Sequence, residues 1–355
     1  MNIGNLRKEI DLIDDKLLDL LNERMAIVKS IGDLKNISKA VIYRPEREIS
    51  IIDRLSSRNK GLLNRRAIEA IYLEIFAVSR NIELPEKVVY LGPEGSFTHQ
   101  AAESRFGAMS EYIPLSSISA VFEAIATDRA RFGVVPIENN QEGVVSETVD
   151  LLERFDLKIV AEVPLAINFA FATKADNVQN IKKIYSKDIA FRQCKKFIDD
   201  LYAENNVELI PVNSTSKAVK IAVEEENSAA ICSHIAAKMY NLPILFENVE
   251  NSEYNQTRFL IISRDFINQK GIKDKTTILA KLSDEPGSLV NFLQDFHKAG
   301  INLSKIESRP SRNDKSFKYW FLIDFDGHFE DENVREVLEK HKNHIKNLGS
   351  YVKII

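Results

Sequence analysis

The chain has 355 residues, 44% hydrophobic and 28% charged, with a formal net charge of −4 and a mean hydropathy of −0.20. That length suggests two or three domains at about 150 residues each, and the slightly acidic balance argues against nucleic-acid binding, so an anionic ligand needs local cations. No run approaches transmembrane length, the charged N-terminus is unlike a signal peptide, and Cys194 and Cys232 fit a reducing compartment as small buried thiols; a cytoplasmic protein with no membrane partner is expected.

Residues 1–84 read as all helix. Ile3, Leu6, Ile10, Ile13, Leu17, Leu20, Ile27, Ile31 and Leu34 alternate three and four apart, which predicts one long helix with a coiled-coil-like seam. The step after Leu20 falls on Arg24. A guanidinium in a seam is costly unless an anion meets it, so an anion site inside a helical bundle is expected. Lys35 returns to nearly the same face, whereas Arg7 lies about 100° away and would serve another site across a dimer interface. Pro45 suits the first turn of a second helix running to about Ser56 and carrying Arg47 and Glu48. A third helix, from about Leu63 to Ile82, leads into Glu83 and places Ser79 on the same face, one turn away.

The texture changes at Val88. Strands are predicted at 88–91, 132–135, 159–163, 167–172, 207–211, 229–232 and 259–262, with helices at 119–127, 147–155 and 216–225. This alternation implies α/β layers, with ligands bound at loops after strands. From Lys275 the order is strand 276–282, helix 287–299, strands 304–308 and 319–325, helix 332–345 and strand 351–354, a ferredoxin-like βαββαβ. No P-loop, dinucleotide fingerprint or metal cluster is present in the sequence, and no cofactor is expected.

Motifs then narrow the function. Leu6-Arg7, Glu23-Arg24, Gly32, Lys35 and the run Tyr43 to Glu48 resemble the all-helical chorismate mutases, which form intertwined dimers. The resemblance implies that Arg24, Lys35 and Arg47 hold the substrate with Arg7 from a partner subunit. Glu48 would meet the substrate hydroxyl, Ser79 would line the site, and Lys35 and Glu83 would flank the ether oxygen. Rearranging chorismate to prephenate needs a dianion held in its reactive conformer and charge stabilised at that oxygen, tasks that suit cations on rigid helices.

Three islands in the middle segment, Tyr90 to Thr98, Val135 to Gly143 and Asn255 to Phe259, together resemble prephenate dehydratase, a two-lobed fold like periplasmic binding proteins. Glu138, Asn139, Thr257, Arg258 and Phe259 match its site motifs, as do Ser186 and Gln193. The glycine-rich first island could bind an anion through backbone N–H groups. Decarboxylation with loss of a ring hydroxyl implies Arg258 as carboxylate clamp and Thr257 as donor to the departing hydroxyl. Either the threonine supplies the proton, or it positions the group and Glu138 supplies it. The same elimination would also serve arogenate.

Glu285 to Val290 and Ile306 to Pro310 resemble the ACT regulatory domain. That implies phenylalanine as allosteric effector at a subunit interface, bound by Gly287, Ser288, Leu289 and Val290 and by Glu307, Ser308, Arg309 and Pro310. The expectation is a multidomain homo-oligomer, dimer or tetramer, with a helical domain at 1–85, a two-lobed α/β domain at 86–268 and a ferredoxin-like α+β domain at 269–355. It would convert chorismate to phenylpyruvate in phenylalanine biosynthesis. An inert amino-acid sensor on the same scaffold is the competing reading.

Overall fold

The computed structural model describes residues 2–38, 44–83, 87–203, 207–252, 254–310 and 319–353. It divides into two compact units, one of residues 1–86 with 106–111, the other of 87–105 with 112–355.

The first unit holds three helices, α1 (Ile3–Ser38), α2 (Pro45–Arg58) and α3 (Arg65–Glu83). Helix α2 starts at Pro45 as expected and stops at Asn59, whose side chain accepts from Gly61 N at 3.1 Å. Helix α3 starts two residues later than expected, because Asn64 Oδ1 accepts from Ala67 N at 2.8 Å and caps the first turn. Ile52, Ile68 and Phe76 form a small core with Ile51, Leu55 and Tyr72 against it. The seam of α1 is left bare, with Ile10 at 55%, Leu17 at 52%, Leu20 at 62% and Ile27 at 57% exposure. The three buried residues of that core come from α2 and α3, and among the described side chains of the 36-residue α1 only Val28 and Gly32 are buried.

The second unit begins with β1 (Lys87–Leu91), α4 (Phe97–Phe106), β2 (Glu111–Leu115), α5 (Ile118–Ala126), β3 (Phe132–Asn139), β4 (Gly143–Val144), α6 (Ser146–Arg154) and β5 (Lys158–Ala166). The chain then builds a second lobe from β6 (Ala170–Thr173), β7 (Lys183–Ser186), α7 (Asp188–Gln193), α8 (Lys195–Leu201), β8 (Glu208–Pro211), α9 (Thr215–Glu224), β9 (Ser228–Cys232), α10 (His234–Met239) and β10 (Ile244–Glu247). It returns to the first lobe with β11 (Gln256–Ser263). The sheets run β2-β1-β3-β11-β5, with β4 on β3, and β10-β6-β9-β7-β8. Strand β11 is antiparallel to both β3 and β5, so a segment distant in sequence becomes the inner strand of the first lobe. Edge strand β2 was not expected; its Pro114 is tolerated where one side needs no partner.

The last segment is β12 (Asp274–Lys281), α11 (Ser288–Lys298), β13 (Leu303–Pro310), β14 (Tyr319–Asp326), α12 (Glu332–Lys340) and β15 (Ile345–Val352), in sheet order β13-β14-β12-β15. Two boundaries differ from expectation by five residues or more. Helix α12 stops at Lys340, where Asp295 accepts from Lys340 Nζ at 2.7 Å and from His341 Nε2 at 2.8 Å. Strand β15 starts six residues before Tyr351 and pairs with β12 from Asp274 to Ala280. One face of this sheet carries Leu279, Trp320, Leu322, Leu348 and Tyr351 into the same apolar cluster as Ile137, Val149, Leu152, Ile159 and Leu260. The two segments of the second unit are therefore joined by a shared core. Gly349, at φ +128°, permits the closest approach, since a Cβ there would lie 2.6 Å from the Ile159 carbonyl oxygen. Lys346 Nζ donates to the carbonyls of Leu152 (3.1 Å), Glu153 (3.1 Å) and Phe155 (2.6 Å), satisfying the end of α6 with a cation where the helix dipole is negative.

Candidate active sites and effector segments

In the helical unit, Arg24 donates to Ser79 Oγ at 2.5 Å and lies 6.0 Å from the centre of the Phe76 ring. Burial lowers its pKa; Tyr72 and Glu83 pull it up and Arg47 pushes it down, so Arg47 and Glu83 lie close enough to act on Arg24, and Ser79 is bonded to it. A guanidinium bonded to a hydroxyl and to the Met25 sulfur keeps donor capacity for an anionic ligand. Gly32 lets the end of α3 reach α1, because a Cβ there would sit 3.1 Å from Glu83 Cα. Lys35 continues α1 one turn beyond Gly32, but its side chain lies outside the described ones. Arg7 and Arg47 are exposed.

Glu48 is placed differently from expectation. It is buried and ion-paired with Arg80, itself 3% exposed, which also donates to the Phe106 carbonyl at 3.1 Å. No sequence motif marks Arg80. It stands four residues after Phe76 on the buried stripe of α3, so the argument that singled out Arg24 applies to it as well.

In the second unit, β3 and β11 set Asn139 opposite Thr257 and Glu138 opposite Arg258. Neighbouring residues of a strand point to opposite faces, so these four make two clusters. On one face Asn139 Nδ2 donates to Thr257 Oγ1 (2.9 Å), Asn255 Oδ1 (2.9 Å) and the Gln256 carbonyl (3.1 Å). Asn139 Oδ1 accepts from the Gln141 and Glu142 amides at 2.9 and 3.0 Å. Asn255 Nδ2 donates to Gln193 Oε1 at 3.1 Å, and Gln193 Nε2 to Gln141 Oε1 at 3.3 Å, which ties the second lobe to the first. Asn255 and Gln141 lie inside the motif islands, and only the fold shows that they bond to the site residues. Asn140, on the adjoining turn, accepts from Gln256 N at 3.0 Å.

On the other face Arg258 is engaged by three carboxylates, Glu138 (2.8 Å), Glu162 (3.0 Å) and Asp324 (2.8 Å). Burial would lower its pKa, but Asp324, Tyr351 and Glu162 outweigh burial and raise it. Glu138 also pairs with Lys305. The structure thus separates Glu138 and Arg258 from Thr257, against the expectation of one cluster; strand alternation is the reason. Phe259 is 2% exposed and packs in the core. Ser186 is fully buried, its hydroxyl donating to the Ile231 carbonyl at 2.6 Å, and it holds β7 to β9.

In the glycine-rich island three N–H groups are taken up within the protein: Gly92 N by the Leu115 carbonyl (2.8 Å), Gly95 N by His99 Nδ1 (3.2 Å) and Ser96 N by the Pro93 carbonyl (3.1 Å). The loop also joins the lobes. Ser233 Oγ donates to the Gly95 carbonyl at 2.6 Å, and a Cβ at Gly95 (φ +78°) would lie 2.9 Å from Ser216 Oγ. Cys194 and Cys232 are buried free thiols whose pKa burial raises.

In the last segment Gly287 takes the left-handed conformation (φ +86°) that starts α11, and Ser288 Oγ lies 3.1 Å from Ser283 Oγ. Leu289 is half-buried and Val290 exposed. Glu307, Ser308, Arg309 and Pro310 end β13, an edge strand. Arg309 reaches α6, donating to Ser146 Oγ at 2.9 Å and to Asp150 at 3.3 Å.

Three family models match in sequence order: chorismate mutase type II over residues 6–84, prephenate dehydratase over 88–266 and the ACT domain over 276–343. A bifunctional chorismate mutase/prephenate dehydratase of Aquifex aeolicus is 42% identical, over 99% of this chain and 98% of its own. One from Pseudomonas aeruginosa is 39% identical, over 99% and 97%. The prephenate dehydratase of Arthrobacter aurescens, solved in complex with L-Phe, matches 75% of this chain and 90% of its own with a TM-score of 0.68 and 31% identity. The chain belongs to the family of bifunctional chorismate mutase/prephenate dehydratases carrying an ACT domain. It is an isomerase and a carbon–oxygen lyase of phenylalanine biosynthesis. Among the described residues no helix is long and apolar enough to cross a membrane.

His99 gives the loop a pH dependence. It is 7% exposed, stacks on Tyr90 at 4.8 Å, and burial lowers its pKa. The folded protein takes up this proton less readily than the unfolded chain, so stability should fall as pH drops below about 6.5. His99→Gln keeps an acceptor for Gly95 N without titrating. Melting temperature followed from about pH 8 to 5 should drop less in the variant; parallel curves would refute the assignment.

Proposed function

We propose that chorismate binds among Arg24, Lys35, Arg47, Ser79 and Glu83, with Arg7 supplied by a second copy of the chain, and that prephenate reacts beside Thr257, Asn139 and Gln193. The observation that carries the second site is the Asn139–Thr257 bond. Its direction matters: Thr257 Oγ1 accepts from Asn139, so its own proton is left to donate to a departing hydroxyl. Glu138 faces the other side of the sheet, which favours Thr257 over Glu138 as the group at that hydroxyl. The resident cluster is otherwise made of amides, suited to orienting a substrate rather than attacking it.

For the mutase step the chemistry is electrostatic. The Arg24 and Arg47 cations lie on helices, and helix-borne charges can hold the dianion in one conformer with little reorganisation. Glu48, held by Arg80, fixes α2 to α3 and so sets where Arg47, the preceding residue, emerges.

Thr257→Ala should lower dehydratase kcat by about 10²- to 10⁴-fold, the usual contribution of a positioned proton donor, and leave the mutase intact. Incubated with chorismate alone, the parent protein should release phenylpyruvate and the variant should accumulate prephenate. Phenylpyruvate formed at the parent rate by the variant would remove Thr257 from the mechanism.

The bare seam of α1 supports a homodimer. Burying one leucine contributes about 1.5–3 kcal/mol, so Leu17→Glu with Leu20→Glu should yield monomers without mutase activity. A monomeric parent protein in sedimentation would contradict the dimer.

Regulation completes the reading: L-phenylalanine binds at the Gly287–Val290 and Glu307–Pro310 segments and inhibits the dehydratase, which requires unequal affinity for two states. The Arthrobacter relative bound to L-Phe supports it. Saturating phenylalanine should slow the dehydratase; an unchanged rate would defeat this part.

A further inference from the structure

The face of β11 behind Thr257 holds a buried cluster in which three cations, Arg258, Lys275 and Lys305, meet three carboxylates, Glu138, Glu162 and Asp324. Lys275 Nζ lies 2.6 Å from Glu162 and 3.5 Å from Asp324. Lys275, Lys305 and Asp324 come from the C-terminal sheet; Glu138, Glu162 and Arg258 come from three neighbouring strands of the first lobe. Asp324 is 2% exposed and is fixed from behind, its Oδ1 accepting from Thr277 Oγ1 at 2.8 Å, while Thr277 also bonds the Tyr351 hydroxyl at 2.8 Å.

We propose that Asp324 is a positioning residue for the dehydratase reaction, setting the place of Thr257 through Arg258 and β11. Three observations carry this. Arg258 is the next residue to Thr257 and its guanidinium lies 2.8 Å from Asp324. The register of β11 against β3 shifts between Arg258 and Phe259, an irregularity at which the backbone is free to re-aim its side chains. The same cavity of about 480 Å³ is lined by Arg258 and Glu138 and by Lys305, Asp324 and Glu307, the last from the segment assigned to the effector. A pull on Arg258 from the C-terminal sheet is therefore applied beside the one irregular point of the β3–β11 pairing, one residue from the reacting hydroxyl. Tyr351, 1% exposed, supports Thr277 through its hydroxyl and so closes the set of contacts that fix Asp324.

The inference rests on the reading of Thr257 given above, and the experiment separates the two. Asp324→Asn should lower dehydratase kcat by about 10- to 100-fold, as a displaced reacting group does, with KM for prephenate within about twofold and the mutase rate unchanged. Because Asp324→Asn alone leaves a surplus buried cation, the double variant Asp324→Asn/Lys275→Met is made as well, which returns the cluster to equal numbers of cations and carboxylates. Its melting temperature should recover while kcat stays low, since Arg258 still lacks its partner on the C-terminal sheet. Recovery of kcat together with stability would show a merely structural role and overturn the proposal. A rise in KM at unchanged kcat would overturn it too, by making Arg258 a substrate ligand. Thr277→Val keeps every charge and removes the hydroxyl that fixes Asp324; it should show the same split more weakly, and a parent kcat there would count equally against the proposal. If Thr257→Ala is fully active, the reading of the site fails; if Thr257→Ala is inactive and the Asp324 variants keep the parent kcat, the site stands and the positioning role falls.

Discussion

Taking a guanidinium out of water is tolerable only where carboxylates replace the water, and Arg258 imposes that constraint on the second unit. Its three carboxylates arrive from β3, β5 and β14, two of them separated from it by about a hundred residues of chain and more. Breaking a buried ion pair by deleting one member costs about 3–5 kcal/mol, comparable with the stability of many domains. Strands β3, β5, β11 and β14 therefore have little freedom to shift independently. The apolar cluster shared by Ile159, Leu260, Trp320 and Tyr351 supplies cohesion, but it is non-directional; the charged cluster fixes the register.

The helical unit handles its guanidinium groups in two ways. Arg80 is closed off, with Glu48 and the Phe106 carbonyl as partners. Arg24 is half-buried against Phe76 and holds a hydroxyl and a sulfur instead. Similar placement on an apolar stripe thus produces a structural cation in one case and an available one in the other. The difference lies in the partner, which belongs to another helix and is invisible in the local pattern.

Much of the architecture was legible because it rests on local periodicity. The seam of α1, the proline start of α2, the buried runs of β3, β9 and β11 and the βαββαβ order of the last segment all show in one-dimensional spacing. Strands β2, β7 and β10 are not legible in the sequence: β2 is interrupted by Pro114, and β7 and β10 are only four residues long, too short for a periodicity to separate them from loop. The first half of β15 is hidden in the sequence because Lys346, Asn347 and Gly349 mask its alternation and because its pairing with β12 shifts register at Leu348. The site motifs mark β3 and β11, but a motif does not say which face of the sheet each of its residues takes. Thr257 and Arg258 are neighbours in the chain and point apart in the sheet. Lys275, Glu162 and Asp324 had no motif at all, since a buried charge is recognisable only once its partners are known.

Helix α6 is gripped at both ends by the C-terminal sheet, by Arg309 at Ser146 and by Lys346 at its last carbonyls, while Gly349 presses on the Ile159 backbone. These contacts run to main-chain atoms and small side chains, so they demand a matched surface and not merely a compatible composition. The regulatory segment is therefore a poor candidate for exchange between distant relatives by recombination. A transplanted sheet with any side chain at the position of Gly349 would meet a backbone that has no room to yield. Inheritance of the two segments as one block is the evolutionary counterpart of that contact.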